Sequence, residues 1–199
     1  MSNNNQIKKI KLGLISQPSS NINVYSIFST YFENSKLSYY NIRNENHYEF
    51  CIKSIPDLSI SINHFKENAD NSNKFKFYNF FLIFIDIQQI NNDTDNFLEM
   101  TIDNITNINK DNYTKKFYIF GFYENNEKER INKDKIGEIL ESKGIDYFYN
   151  EIIKDDLDNF RNIIKFLIND CNTIMTEKFL AQKQNELIPD GSGSHCFLF

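Results

Sequence analysis

Two kinds of apolar pattern share this chain. Residues 80–87 (FFLIFIDI) and 117–122 (FYIFGF) are continuous apolar runs of strand length. Such runs suit strands buried on both faces of a parallel sheet. Shorter runs at 10–15 and 145–149 predict two further strands. Residues 47–52 (HYEFCI) and 58–62 (LSISI) instead alternate apolar and polar. They predict a hairpin turning near Pro56-Asp57, a turn dipeptide.

Helical spacing fills the intervals. Residues 24–32 are amphipathic, and 95–108 place Leu98, Ile102 and Ile105 on one face, with Asp93 or Asp95 as cap. Residues 133–143 turn Ile136, Ile139 and Leu140 inward, with Gly144 where a left-handed C-cap belongs. The longest helix opens at Asp155 and Asp156, acids suited to a helix N-terminus. Its apolar face runs through Phe160, Ile164, Leu167, Cys171 and Ile174. Residues 35–46 and 63–74 read as loops, 124–134 as a charged, solvated segment, and 184–199 as a tail containing Pro189 and GSGS.

Strands alternating with helices predict an α/β fold with βαβ units. The expected architecture is three-layer α/β/α. Its mostly parallel six-stranded sheet carries one antiparallel edge strand, contributed by the hairpin. The predicted domain spans 7–180, between a disordered N-terminus (1–6) and a flexible tail (181–199).

Composition narrows the function. Of 199 residues, 40% are apolar and 25% charged, enough to build a core. The net charge of −5, with no basic stripe, gives no reason to expect a nucleic-acid partner. No apolar signal core opens the chain, and no apolar run approaches the roughly 18 residues of a spanning helix. Cys51, Cys171 and Cys196 lie far apart, which suits a reducing, cytoplasmic compartment. The Asn-x-Thr sequons at Asn92, Asn104 and Asn112 are then incidental.

The order of elements resembles that of Ras-like small GTPases across residues 7–175. The pieces that carry the resemblance are the FFLIFIDI strand with its helix, and FYIFGFYENNEKERINKDKIGEILESKGIDYFYN. Its LESKGIDYFYN end is especially similar. The resemblance implies a P-loop NTPase topology and a nucleotide pocket between residues 16 and 23. The family's phosphate loop, GxxxxGK[ST], would fall on Ser16-Gln17-Pro18-Ser19-Ser20-Asn21-Ile22-Asn23. Neither glycine is there, although backbone N–H groups must approach phosphates closely. Pro18 removes one N–H outright. Ile22 replaces the lysine, and Asn23 replaces the hydroxyl that would bind magnesium.

The other motifs of the family fail as well. The switch threonine would fall near Asn41, and DxxG on Asn63-His64-Phe65-Lys66. The guanine-reading NKxD would fall on Phe122-Tyr123-Glu124-Asn125, and the last element near Asn150-Glu151-Ile152. Each lost charged hydrogen bond is worth about 1.5–3 kcal/mol. Losing lysine, metal ligand and base carboxylate together weakens binding by roughly three to six orders of magnitude. Hydrolysis, which needs positioned water and metal, should be gone. The resemblance therefore implies a pseudo-GTPase with no catalytic residues and no cofactor. Ile22 is expected to pack inward where a lysine would have faced phosphate.

Cys196, followed by Phe197, Leu198 and Phe199, fits the prenylation box C-a-a-X, with PDGSGSH as a polar lead-in. No Lys or Arg lies between 184 and 195, so no polybasic signal assists a lipid anchor. The expectation is reversible, peripheral attachment to the cytosolic face of a membrane after a prenyltransferase acts. A partner protein, effector-like or scaffold, would meet loops 35–46 and 63–74. Two other readings stay open. One is a divergent small GTPase that still binds GTP or GDP with magnesium, and the other is an unrelated α/β enzyme. His47, His64 and His195 are too dispersed to predict a metal site.

Overall fold

The computed structural model describes residues 8–18, 22–34, 37–44, 46–52, 55–65, 72–87, 92–107, 115–123, 133–153 and 156–187. Its elements are, in chain order, β1 (Lys8–Ser16), α1 (Val24–Asn34), β2 (Leu37–Asn44), β3 (His47–Ile52), β4 (Ile55–Phe65) and α2 (Ser72–Phe75). They continue with β5 (Phe80–Asp86), α3 (Asn92–Thr106), β6 (Lys116–Tyr123), α4 (Lys133–Ser142), β7 (Asp146–Ile153) and α5 (Leu157–Leu187). The strands form one mixed sheet in the order β2-β3-β4-β1-β5-β6-β7. Pairings from β4 through β7 are parallel, and β3 runs antiparallel to both its neighbours.

Side-chain alternation sorts the core into two layers. Leu12, Leu14, Ile60, Ile62, Leu82, Phe84, Phe120 and Phe122 point to the face covered by α1 and α5. Phe81, Ile83, Ile85, Phe117 and Ile119 point to the face covered by α3 and α4. Under α1 and α5 the core is aromatic. The Phe84 ring lies 5.0 Å from Phe122, 5.7 Å from Phe120 and 6.3 Å from Phe28, centroid to centroid. Gly121 makes room on β6, because a Cβ there would stand 2.8 Å from both Ile87 Cγ2 and the Tyr149 hydroxyl. Gly144 has φ 61°, the left-handed cap its position after α4 predicts.

Several expectations change. The sheet has seven strands, not six, because the expected loop at 35–46 contains β2. The antiparallel pairing expected at one edge is present, but β2 lies outside it as the outermost strand. β2 reads as polar because it meets the rest of the sheet along one side only, where Tyr40 and Ile42 stand opposite Phe50 and Tyr48. Pro56 and Asp57 do not form the hairpin turn. They lie in the first residues of β4, where a missing N–H is tolerated, and the register closes at Ile52 and Ile55. The loop expected at 63–74 begins as the end of β4 and finishes in α2, and 66–71 lie outside the described residues. Asp93 and Asp95 sit inside α3 rather than ahead of it, and Asp95 pairs with Lys135 of α4. Asp156 does cap α5, its Oδ1 accepting from Asn159 N at 3.0 Å. That helix runs on to Leu187, past the point at 184 where the tail was expected to begin.

Among the described residues no helix is long and apolar enough to cross a membrane.

Candidate functional site

Ligands of open α/β sheets bind beyond the carboxyl ends of the strands, where successive connections leave toward opposite faces. Here that place is the end of β1. α1 follows β1 onto one face, and α3 follows β5 onto the other. Parallel register brings Leu14 opposite His64 and Ser16 opposite Phe84. Residues from β1, β4, β5 and β6 therefore meet at one rim.

Ser16, where the resemblance would begin a phosphate loop, lies with its Oγ 2.9 Å from His64 Nε2. His64 belongs to the stretch where DxxG would fall. Two positions that the resemblance would set against a nucleotide are thus hydrogen-bonded to one another. Gln17 is buried, and its backbone N–H donates to Phe84 O at 2.9 Å. Its side chain bridges the rim, with Nε2 donating to Thr94 Oγ1 and Oε1 accepting from Asp86 N, both at 3.0 Å. The amide thereby satisfies a backbone donor at the end of β5 and holds the first turn of α3 against it. A buried amide left without such partners costs about 1–3 kcal/mol, so these bonds fix the side chain in place.

Pro18 is exposed. Ser19, Ser20 and Asn21 lie outside the described residues. Ile22 is half-buried and packs against the core beneath α1. Asn23 caps α1, its Oδ1 accepting from Ser26 N at 2.9 Å. The oxygen that would have served a metal therefore ends the helix instead. Phe122, where the resemblance would put base reading, is buried against Phe84. Tyr123 is half-buried against the core under α3 and α4. Glu124, Asn125 and Cys196 lie outside the described residues. Asn150, Glu151 and Ile152 all lie within β7, and Ile152 is buried.

Among the described residues no group of three or more His, Cys, Asp or Glu side chains could hold a metal ion. Among the described residues the rim offers the Ser16 and Thr94 hydroxyls, the His64 imidazole, the Asp86 carboxylate, the buried Gln17 amide, the capping Asn23 amide and the apolar Ile22 and Phe122. Ser16 and His64 do have the spacing of a nucleophile and its base. A tetrahedral oxyanion needs donors as well, and those nearest the serine are spent or missing. The Gln17 N–H is bonded to Phe84 O, and Pro18 has none.

A second polar cluster lies under α5. The Tyr118 hydroxyl donates to Asp170 Oδ2 at 2.7 Å, and the Cys171 thiol donates to the Tyr118 oxygen at 3.4 Å. Burial pushes the Tyr118 phenol far above its ordinary range and the Cys171 thiol up to about 12. Such a thiol is a packed, unreactive group at neutral pH. Burial alone would lower the Lys116 ammonium, but Asp170 and Asp146, at 3.3 and 3.4 Å, outweigh it and hold it above its ordinary value. The cluster ties β6, β7 and α5 together.

The sequence reading missed Asp86 and Thr94 as members of the rim, and it brought the stretch around His64 there through the resemblance without pairing it to Ser16. No local signal could have found them. His64 lies 48 residues from Ser16, and Asp86 and Thr94 lie 69 and 77 residues from Gln17. No protein-family model and no curated protein matches this chain.

Proposed function

We propose that this chain is a Ras-like domain whose nucleotide site is closed from within. It would work as a protein-interaction module, held at the cytosolic face of a membrane by a lipid on Cys196. The observation that carries this reading is the use made of the phosphate-loop positions. Ser16 is bonded to His64, Gln17 to Asp86 and Thr94, Asn23 to its own helix, and Ile22 packs against the core. The chain order supports it too. A strand and helix, an antiparallel hairpin, and then strands alternating with helices follow one another as the resemblance implies, with β2 added at the edge.

The two segments expected to meet partners carry or adjoin exposed aromatic side chains. Tyr40 in β2 is 48% exposed, and Phe77, just after α2, is 65% exposed. Aromatic residues of this kind anchor protein interfaces.

Equilibrium titration with labelled GTP and GDP, with and without magnesium, tests the reading. Binding should be absent or weaker than micromolar, and indifferent to magnesium. Tight, magnesium-dependent binding would overturn it in favour of a working small GTPase. The lipid is tested separately. Cys196→Ser should lower the intact mass by one isoprenoid and move the protein out of the membrane fraction, and no change in either would remove the anchor from the proposal.

A further inference from the structure

Parallel strands give the domain two poles. The rim lies where the strands end. At the other pole, where they begin, lysines gather. Lys9 and Lys11 stand near the start of β1, and both are exposed. Leu12 pairs with Phe80, the first residue of β5, so Lys11 stands one residue before that rung. α2 and the residues after it lead into the same rung. Lys115, immediately before β6, donates from Nζ to Phe75 O at 3.0 Å, and the Phe75 ring meets Phe81 edge-on at 5.7 Å. These contacts seat α2 at the start of β5, with Lys74, Lys76 and Phe77 exposed. Lys11 shares this face. It alternates to the same side as Gly13, where a Cβ would meet the Phe81 ring.

Phe77, at 65% exposure, is the most exposed large apolar side chain among the described residues, and Lys76 Nζ lies 5.1 Å from its ring centre. Lys9 is paired with Glu49, but among the described residues no carboxylate pairs with Lys11 or Lys76. A chain of net charge −5 thus gathers positive charge around a bare aromatic ring. A complementary surface must be anionic outside and apolar just beneath. An anionic lipid bilayer has that layering, with acidic headgroups above the acyl boundary. Lysine suits it too, because its long stem can lie beside a ring in apolar surroundings while the ammonium stays among headgroups. α5 points to the same pole. Phe160, near its start, packs on Phe84 toward the end of β5, whereas Asp170 reaches Lys116 at the start of β6. The helix therefore runs toward the lysines, and Cys196 follows it in the chain.

We propose that the face formed by Lys11, Lys74, Lys76 and Phe77 docks on an anionic lipid bilayer, with the Phe77 ring entering the boundary between headgroups and acyl chains. This rests on the membrane part of the reading above and deepens it. The fold supplies the positive charge that residues 184–195 lack. It is tested apart from that reading, because the unlipidated chain and vesicles involve neither isoprenoid nor nucleotide.

The unlipidated full chain should sediment with vesicles of mixed phosphatidylcholine and phosphatidylserine, and not with phosphatidylcholine alone. The bound fraction should fall as salt is raised, because the attraction is screened. Lys11→Gln together with Lys76→Gln should weaken the partition about tenfold or more. Both lysines are exposed, so thermal unfolding should match that of the native chain. The chain has no tryptophan, so Phe77→Trp places a single fluorophore in the face. Its emission should shift to the blue on the mixed vesicles and be quenched by lipids brominated on their acyl chains. A native chain that stays in the supernatant with the mixed vesicles overturns the proposal. So does binding indifferent to salt and to the double substitution, or a bound Phe77→Trp chain whose emission is not quenched. None of these results would touch the lipid on Cys196, and an unchanged mass in Cys196→Ser would leave this face standing.

Discussion

The two halves of the sheet face their surroundings differently. β5 and β6 are apolar on both faces, and every residue of β5 is buried. From β3 through β4 to the first residues of β1, only the α1 and α5 face is apolar. The other face carries Lys9, His47, Glu49, Ser59, Ser61 and Asn63. Lys9 Nζ is 2.9 Å from Glu49 Oε1, and His47 Nδ1 is 2.6 Å from Asn63 Oδ1. Among the described residues, helices therefore sandwich one half of the sheet and back only one side of the other. Hairpins allow this, because antiparallel strands can leave one face to water, whereas parallel crossovers bring helices to both. The rim lies on the seam, where β1 passes from one regime to the other.

If the contrast is physical, the doubly covered half should respond most to lost volume. Phe84→Ala removes a ring packed against Phe28, Phe120, Phe122 and Phe160. Its expected cost is about 3–5 kcal/mol of unfolding free energy, combining lost transfer energy and a residual cavity. Ser59→Ala, on the open face of β4, should stay within about 0.5 kcal/mol. Urea unfolding of both variants reads the difference directly. Similar losses at the two sites would mean that the open face is covered in solution, and the contrast would fail.

The next effect concerns Lys115, the one buried lysine among the described residues, which lies in the doubly covered half. Its Nζ donates to Phe75 O at 3.0 Å and lies 4.9 Å from the centre of the Phe81 ring. Burial pulls its ammonium down from 10.5 to about 8. Between those values the unfolded chain keeps a proton that the folded chain has released. Stability should therefore rise with pH from about 8 to 10.5 on account of this group. Cys171 acts in the opposite sense, because its thiol is held up from 9 to about 12 and the unfolded thiol ionises first. Comparison with Lys115→Met isolates the lysine. The stability of the native chain relative to the variant should be flat below about pH 8 and climb by on the order of 1–2 kcal/mol above it. A difference that stays level through that window would show that Lys115 is as well solvated as an ordinary surface lysine.

The same contrast explains what could be read from the sequence. Continuous apolar runs identified β5 and β6, because burial on both faces removes alternation. Periodicity identified the inward faces of α3, α4 and α5, whose residues Ile102, Leu140 and Ile164 are buried as expected. β2 escaped notice because one-sided pairing imposes little pattern on eight residues. The end of β1 drew attention only through the resemblance, and the packing of Ile22 against the core followed from its chemistry. The rim's own contacts were not legible. The Ser16–His64 and Gln17–Thr94 contacts depend on which strands lie side by side, and no spacing along the chain records that.

The smallest effect belongs to the open face. Lys9 and Glu49 pair across it, with the lysine side chain 45% exposed and the glutamate 13% exposed. Water around the lysine screens the attraction, so the pair should contribute no more than about 1 kcal/mol. A double-mutant cycle with Lys9→Met and Glu49→Gln gives the coupling without the costs of each substitution alone. The coupling should shrink as salt is added, because a pair reached by solvent is screened over about 10 Å at 0.1 M ionic strength. A coupling several-fold larger and indifferent to salt would mean that something excludes water from this face. The hairpin half would then be covered on both sides like its neighbour, and the difference between the two halves would lie only in which element supplies the cover.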